Sequence, residues 1–355
     1  IMAYTTINKS TDYFNTKLYT GTGSSNAITG VGFQPDWVWI KNRDSGSLGH
    51  QAFDVIRGVT KRIFPNDSAI QETDANALTA FGSDGFTVGS NTGVNQSSNN
   101  IVAWNWRGGG SAVANTDGDI NSSVSANTTA GFSIVKWTGD GSNSDQEVGT
   151  GLSEELKLVL LKPLTSGGTT TQWLVYFNGV TDAQNNCFLL NSNAAKTTNA
   201  TGGTPNKGTT AGRLLLKAGS SSNQNQNYSG TEYIAYCFAE KTGYSYFGTY
   251  TANNSSDGPF LYTGFRPAFF MAKRNDGTGN WHMYDDKRIG YNNQNKRLAA
   301  DSTGAEDQAA IDIVSNGIKI RTNNNSLNNH SGNMIYWAFA SAPIVGTNNI
   351  PAVAR

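Results

Sequence analysis

Two copies of one polar constellation are the clearest candidates for chemistry in this chain: Asp54-x-x-Arg57 and Asp285-x-x-Arg288. A carboxylate and a guanidinium three residues apart can meet in a bidentate pair. Such a pair would either hold a charged ligand or pin a turn inside the fold, where burial makes partners necessary. The pinning role is the expected one, because the middle of the chain has Phe177 and Asn178 in the corresponding region and dispenses with the pair. His50, His282 and His330 are the only histidines, with no Cys or Glu at ligand spacing, so they give no zinc signature. Aligning the two constellations puts His50 opposite Trp281. Asp140-Gly-Ser-Asn-Ser-Asp145-Gln-Glu147 resembles oxygen-rich calcium loops, although the spacing is not that of an EF-hand. Asp140, Asp145 and Glu147 are therefore the calcium candidates, against the plainer reading of a polar hairpin loop; no metal or other cofactor is expected.

Hydrolysis needs two convergent carboxylates or a Ser/His/Asp set. The chain has no Gly-x-Ser-x-Gly elbow and no phosphate-binding loop, so no catalytic residue is assigned and an enzyme is not expected. The eight tryptophans (37, 39, 104, 106, 137, 173, 281 and 337) all fall on expected strands. Their repetition at equivalent strand positions favours a core role over sugar stacking. Tyr228 and Tyr291, in loops, are the better candidates for contact with a glycan.

The element that must position these groups is Gly30-Val-Gly-Phe-Gln-Pro-Asp-Trp-Val-Trp-Ile-Lys41, echoed at Gly264-Phe-Arg-Pro-Ala-Phe-Phe-Met-Ala-Lys273. In both, a proline closes a turn and a strand starts after it, with six steps from proline to lysine. Trp37 and Trp39 alternate with Val38 and Ile40, so both faces are apolar and the strand is expected between two layers. Openings at Tyr19, Trp137 and Tyr250 recur at a spacing far too long for a solenoid or propeller blade. The expected fold is all-β: three tandem antiparallel β-sandwich units of jelly-roll or lectin-like type. The expected boundaries are an N-terminal arm 1–16, unit one 17–107, a Gly/Ser/Asn linker 108–130, unit two 131–240, unit three 246–340 and a tail 341–355. Helix is expected to be scarce, with a turn or two at Ser302 to Ile313 and near Ile70.

Composition supports this reading. Lys+Arg and Asp+Glu are equal at 26 each, so no net field favours nucleic acid or an anionic membrane. Forty glycines with recurrent aromatics point to short strands joined by polar turns, not disorder. Two cysteines, Cys187 and Cys237, are expected to be unpaired buried thiols of a chain folded in a reducing compartment. No apolar run is long enough to span a membrane. The first residues lack the basic and apolar regions of a signal peptide, so release by lysis or a dedicated exporter is expected.

Several stretches resemble a family of structural proteins of tailed, especially marine, phages. They are Tyr19 to Gly23, Ile28 to Arg43, His50 to Gly58, Gly258 to Ala268 and Trp281 to Arg288. The resemblance covers the first and third units well and the second loosely. It implies a virion component such as a tail fibre, spike or other appendage, with lectin-like character and adhesion to host-surface glycans. A capsid or tail decoration (cement) protein is the alternative, and a polysaccharide depolymerase is third. The implied partners are other virion proteins and further copies of the chain, trimers being usual for appendages. The implied course is assembly in the host cytoplasm and release by lysis.

Overall fold

Alternating apolar side chains on both faces of one strand require a layer on each side, and each of the three repeats supplies such a strand. The computed structural model describes residues 5–166, 171–180, 186–198, 206–207, 211–216 and 226–341. The first repeat runs β1 (Phe14–Thr20), β2 (Asn26–Thr29), β3 (Trp37–Asn42), β4 (Gln51–Asp54), β5 (Lys61–Arg62), β6 (Glu72–Thr73), β7 (Leu78–Gly82), β8 (Gly85–Val88), α1 (Thr92–Asn95) and β9 (Asn100–Trp106). Two strands follow, β10 (Val113–Asn115) and β11 (Ser122–Asn127). The second repeat comprises β12 (Phe132–Thr138), β13 (Gln146–Gly149), β14 (Leu156–Pro163), β15 (Leu174–Phe177), β16 (Asn186–Leu189), β17 (Thr197–Thr198), β18 (Asn206–Lys207), β19 (Arg213–Leu216) and β20 (Glu232–Ala239). The third comprises β21 (Ser245–Thr251), β22 (Phe260–Tyr262), β23 (Pro267–Arg274), β24 (His282–Asp285), β25 (Gln294–Ala299), β26 (Asp307–Val314), β27 (Gly317–Ile320) and β28 (Asn333–Ala340).

The same antiparallel order occurs three times: β1-β9-β3-β4, β12-β20-β14-β15 and β21-β28-β23-β24. Three further strands accompany each: β2-β8-β7 and β13-β19-β18 as separate sheets, and β26-β27-β22 as the far end of the eight-stranded sheet β21-β28-β23-β24-β25-β26-β27-β22. Register makes the equivalence residue by residue. Trp37 lies opposite both Trp106 and Asp54, Leu158 opposite Phe238 and Phe177, and Phe269 opposite Phe339 and Asp285.

In the first and third repeats the two faces of the central strand go to different places, whereas in the second Leu158 to Leu161 all join one cluster. Val38 and Ile40 pack within their own repeat, against Ile28, Phe86 and Val88 of the small sheet. Phe270 and Ala272 do the same against Leu261, Ile311 and Ile318. Trp37, Trp39, Phe269 and Met271 face the other way, into one cluster shared by all three repeats. At its centre three equivalent rings meet: Trp106 lies 5.8 Å from Phe339, and Phe238 lies 5.6 Å from Phe339. All eight tryptophans are buried, as their strand positions lead one to expect. Rings of this size dominate the burial term, roughly 1.5–3 kcal/mol for each large apolar side chain. The repeats therefore share a core and do not stand as beads on a string.

Four expectations need correction. Residues 108–130 are not a bare linker: they carry β10 and β11, and β11 extends the second repeat's sheet by pairing with β12. Its alternation of small polar residues with Val124 is legible only once a neighbour strand is known. The described part of the arm, residues 5–16, is packed, with Ile7 buried and β1 already begun at Phe14. Ser302 to Ile313 is not helical; β26 buries Ala309, Ile311 and Ile313 at period two. Near Ile70 the chain forms the short β5-β6 pair, and the α-helix among the described residues is α1. The tail beyond Ser341 lies outside the described residues. Cys187 and Cys237 are free and buried. No helix among the described residues is long and apolar enough to cross a membrane.

Candidate functional site

The Asp-x-x-Arg constellations lie at the seams between repeats. A turn follows β4, and its N–H groups at Ile56 and Arg57 donate to Asp54 Oδ1 at 3.1 and 2.9 Å. Arg57 Nε donates to Asp54 Oδ2 at 2.5 Å, and its other nitrogens reach the Ala52 and Lys61 carbonyls. The same carboxylate oxygen then accepts Tyr236 O–H from the second repeat at 2.7 Å. The third repeat repeats this arrangement. Arg288 Nε donates to Asp285 Oδ2 at 2.7 Å, and that oxygen accepts Trp104 Nε1–H of the first repeat at 3.1 Å. Tyr236 and Trp104 are equivalent positions on β20 and β9. In the second repeat Phe177 and Val180 replace the ion pair, and Phe177 stacks on Trp337, the matching residue of β28, at 6.5 Å. One contact thus closes in a ring, first to second, second to third, third to first. That is a heterologous interface that shuts at three.

A second ring of contacts runs beside it. The residues four before Asp54, Phe177 and Asp285 are His50, Trp173 and Trp281. Trp173 Nε1 donates to Phe64 O at 2.8 Å, and Trp281 Nε1 donates to Leu189 O at 2.9 Å. His50 Nε2 pairs with Ala299 O at 3.0 Å. Its Nδ1 accepts Trp39 Nε1–H at 2.9 Å, which assigns the ring proton to Nε2. Burial first, then the nearby Lys41 charge, holds His50 well below its ordinary pKa, so it is a neutral donor standing in for an indole. The alignment that set His50 opposite Trp281 is visible here in space.

The lysines that end the central strands, Lys41, Lys162 and Lys273, are all fully buried. Lys162 Nζ donates to Ser68 O at 3.0 Å and Lys273 Nζ to Asn193 O at 3.3 Å, each in the preceding repeat. Lys41 Nζ donates to Asn42 O at 2.6 Å and Ser45 O at 3.2 Å. Burial pulls Lys162 down to about 7, and Lys41 and Lys273 to about 8. The third-to-first seam is also clasped by Glu306, which takes Arg43 Nε at 2.7 Å and Arg43 Nη2 at 3.2 Å.

Sequence reading missed a fourth repeated device, the buried Asn95, Asn227 and Asn328. Asn95 Oδ1 accepts Thr22 N–H at 2.9 Å, Asn227 Oδ1 accepts Asp140 N–H at 3.0 Å, and Asn328 Oδ1 accepts Asn253 N–H at 2.8 Å. Each clamps the loop after the first strand of its repeat. The signal was present: each asparagine lies a few residues before the closing strand.

The remaining candidates lie apart. Asp140 is taken by Asn227 Nδ2 at 2.7 Å, and Glu147 pairs with Arg213 at 2.9 Å. Among the described residues no three His, Cys, Asp or Glu side chains gather as a metal site. His282 is buried beside Arg297, while His330 Nδ1 accepts Gly332 N–H at 2.9 Å. Tyr291 is 72% exposed and Tyr228 is half-buried, in loops of different repeats. Phe260 and Tyr262, exposed together on β22, were not anticipated. A polar cleft of about 760 Å³ opens where β1, the turn before β3 and the connection after β9 meet, lined by Asp36, Arg107, Gly108 to Gly110 and Asn127.

No curated protein and no solved structure matches the chain. A family model described as "Domain of unknown function (DUF7483)" matches residues 9–343. That span takes in all three repeats together, as a shared core requires. The chain belongs to the DUF7483 family.

Proposed function

We propose that the protein is a non-catalytic structural component of a phage particle, a rigid block at the end of a tail fibre, spike or similar appendage that contacts host-surface glycans. In this reading each repeat is a small jelly-roll or lectin-like sandwich. The observation that carries it is the threefold interlock. Repeated carboxylate and indole contacts, with the lysines of the second and third repeats, are consumed in holding repeats together, which suits a part whose work is position and contact. The resemblance of Ile28 to Arg43 and Trp281 to Arg288 to tailed-phage structural proteins supports the same assignment. Mass spectrometry of purified virions tests it; particles that lack the chain end the proposal.

A decoration protein cementing head or tail is the second reading. It is favoured by the shared core, which draws three repeats into one block where a shaft would need them strung out. Copy number separates the two: a few trimers per particle for an appendage, hundreds of copies for a coat.

A further inference from the structure

The three repeats obey one set of contacts, so a departure with no packing cause is informative. Arg107, Ala239 and Ala340 occupy one position: their N–H groups donate to the carbonyls of Tyr13, Gly131 and Tyr244 at 2.9, 2.8 and 2.8 Å. Both alanines are buried, whereas Arg107 is exposed and makes no ion pair among the described residues. Asp36, Lys157 and Ala268 likewise share a position, their carbonyls accepting from Val55, Asn178 and Asp286 at 3.0, 3.0 and 2.9 Å. Asp36 alone of the three is a carboxylate, 2% exposed, and its direct partners are neutral: Gln34 Nε2 and Gly110 N–H, each at 3.2 Å.

The loop between them is built for close approach. A Cβ on Gly109 would stand 2.5 Å from Ala126 O, and one on Gly108 would stand 2.9 Å from Ser125 Oγ. Gly110 has φ +77°, which favours glycine. No other residue type lets this loop lie against β11 and leave the cleft open above Asp36. The cleft's volume, about 760 Å³, is that of a small-molecule site. Its walls carry the Asp36 carboxylate, the Arg107 guanidinium whose charge acts on it, the amides of Gln34 and Asn127, which already donate to Asp36 and to the Arg107 and Gly108 carbonyls, and the hydroxyls of Thr128 and Thr129.

We propose that this cleft binds an acidic monosaccharide unit of the uronic-acid type, with Arg107 meeting the ligand carboxylate and Asp36 and the neighbouring amides meeting ring hydroxyls. A bidentate guanidinium–carboxylate contact supplies orientation as well as energy. The proposal rests on the adhesive part of the function proposed above and names its ligand class. Repeats two and three, with a lysine or alanine for Asp36 and alanines for Arg107, do not bind it.

The test is titration of the full chain by NMR or calorimetry with methyl β-glucuronide, methyl β-glucoside and inorganic phosphate. The glucuronide is expected to bind roughly 10-fold more tightly than the glucoside, the worth of one charge-assisted contact, and phosphate is expected not to displace it. Arg107→Ala, at an exposed position, is expected to abolish that difference with an unchanged melting temperature. Asp36→Asn is expected to weaken both sugars. Failure of the glucuronide to bind, an Arg107→Ala protein that keeps the preference, or displacement by phosphate at equal concentration overturns the proposal. None of these results touches the virion assignment, which stands or falls on the particle's composition.

Discussion

Asp54→Ala is the sharpest test of the seam. In the folded protein the Asp54 carboxylate accepts four hydrogen bonds, two from backbone N–H groups, one from Arg57 and one from Tyr236. Both partners of the ion pair are buried, with Arg57 at 1% side-chain exposure. Removing the carboxylate leaves a buried guanidinium without its counter-charge, which costs about 3–5 kcal/mol. Arg57→Ala is expected to cost about as much, since it strands Asp54 and frees the Ala52 and Lys61 carbonyls. The chain holds its own control, because the second repeat fills these positions with Phe177 and Val180. Asp54→Phe with Arg57→Val is therefore expected to cost less than either alanine variant. Tyr236→Phe, which removes one hydrogen bond to a charged group, is expected to cost about 1.5–3 kcal/mol. Equilibrium denaturation followed by the fluorescence of the core tryptophans measures all four, and the shared core requires one transition for the three repeats. An Asp54→Ala cost below about 1 kcal/mol, or a double variant that costs more than either alanine variant, refutes the argument.

The buried lysines predict a pH dependence. Burial holds Lys162 at about 7 and Lys41 and Lys273 at about 8, while the unfolded chain returns them to 10.5. Between those limits the unfolded state binds more protons, so their contribution to stability rises from about pH 7 to about pH 10. Lys162→Met is expected to flatten its share of that slope in thermal melts taken across the window. Trp173→Phe leaves Phe64 O without its indole donor and is expected to destabilise by about 1–3 kcal/mol, read from denaturant midpoints. Burial pushes Cys187 up to about 12 and Cys237 higher still, so neither forms a thiolate near neutrality. A disulfide reagent at pH 8 is expected to label no thiol in the native protein and two after denaturation.

Much of this protein is local and could be read from its residues. Alternation of apolar side chains at Trp37 to Ile40 specifies a strand with two buried faces, because successive Cβ atoms point to opposite sides whatever lies beyond them. The Asp-x-x-Arg spacing specifies a turn with an internal ion pair, since i and i+3 meet within one turn of chain. Other features depended on which strands lie side by side. β26 alternates only weakly, with glutamine and aspartate among its outward residues, and β11 has serines where a strand usually has bulk. Their conformation follows from the neighbour that each pairs with.

Residue types and their spacing by themselves determined an all-β chain written in repeats, with its tryptophans inside and its ion pairs in corners. Only tertiary structure decided that the outer face of each repeat is the inner face of the whole, that Tyr236 and Trp104 complete carboxylates 182 and 181 residues away, and that Asp36 and Arg107 share a cleft. The reason is physical: strand pattern and i+3 contacts are settled by the backbone over a few residues. Closure of a three-part ring depends on surfaces from all three parts meeting at once, and no single stretch of chain carries that information.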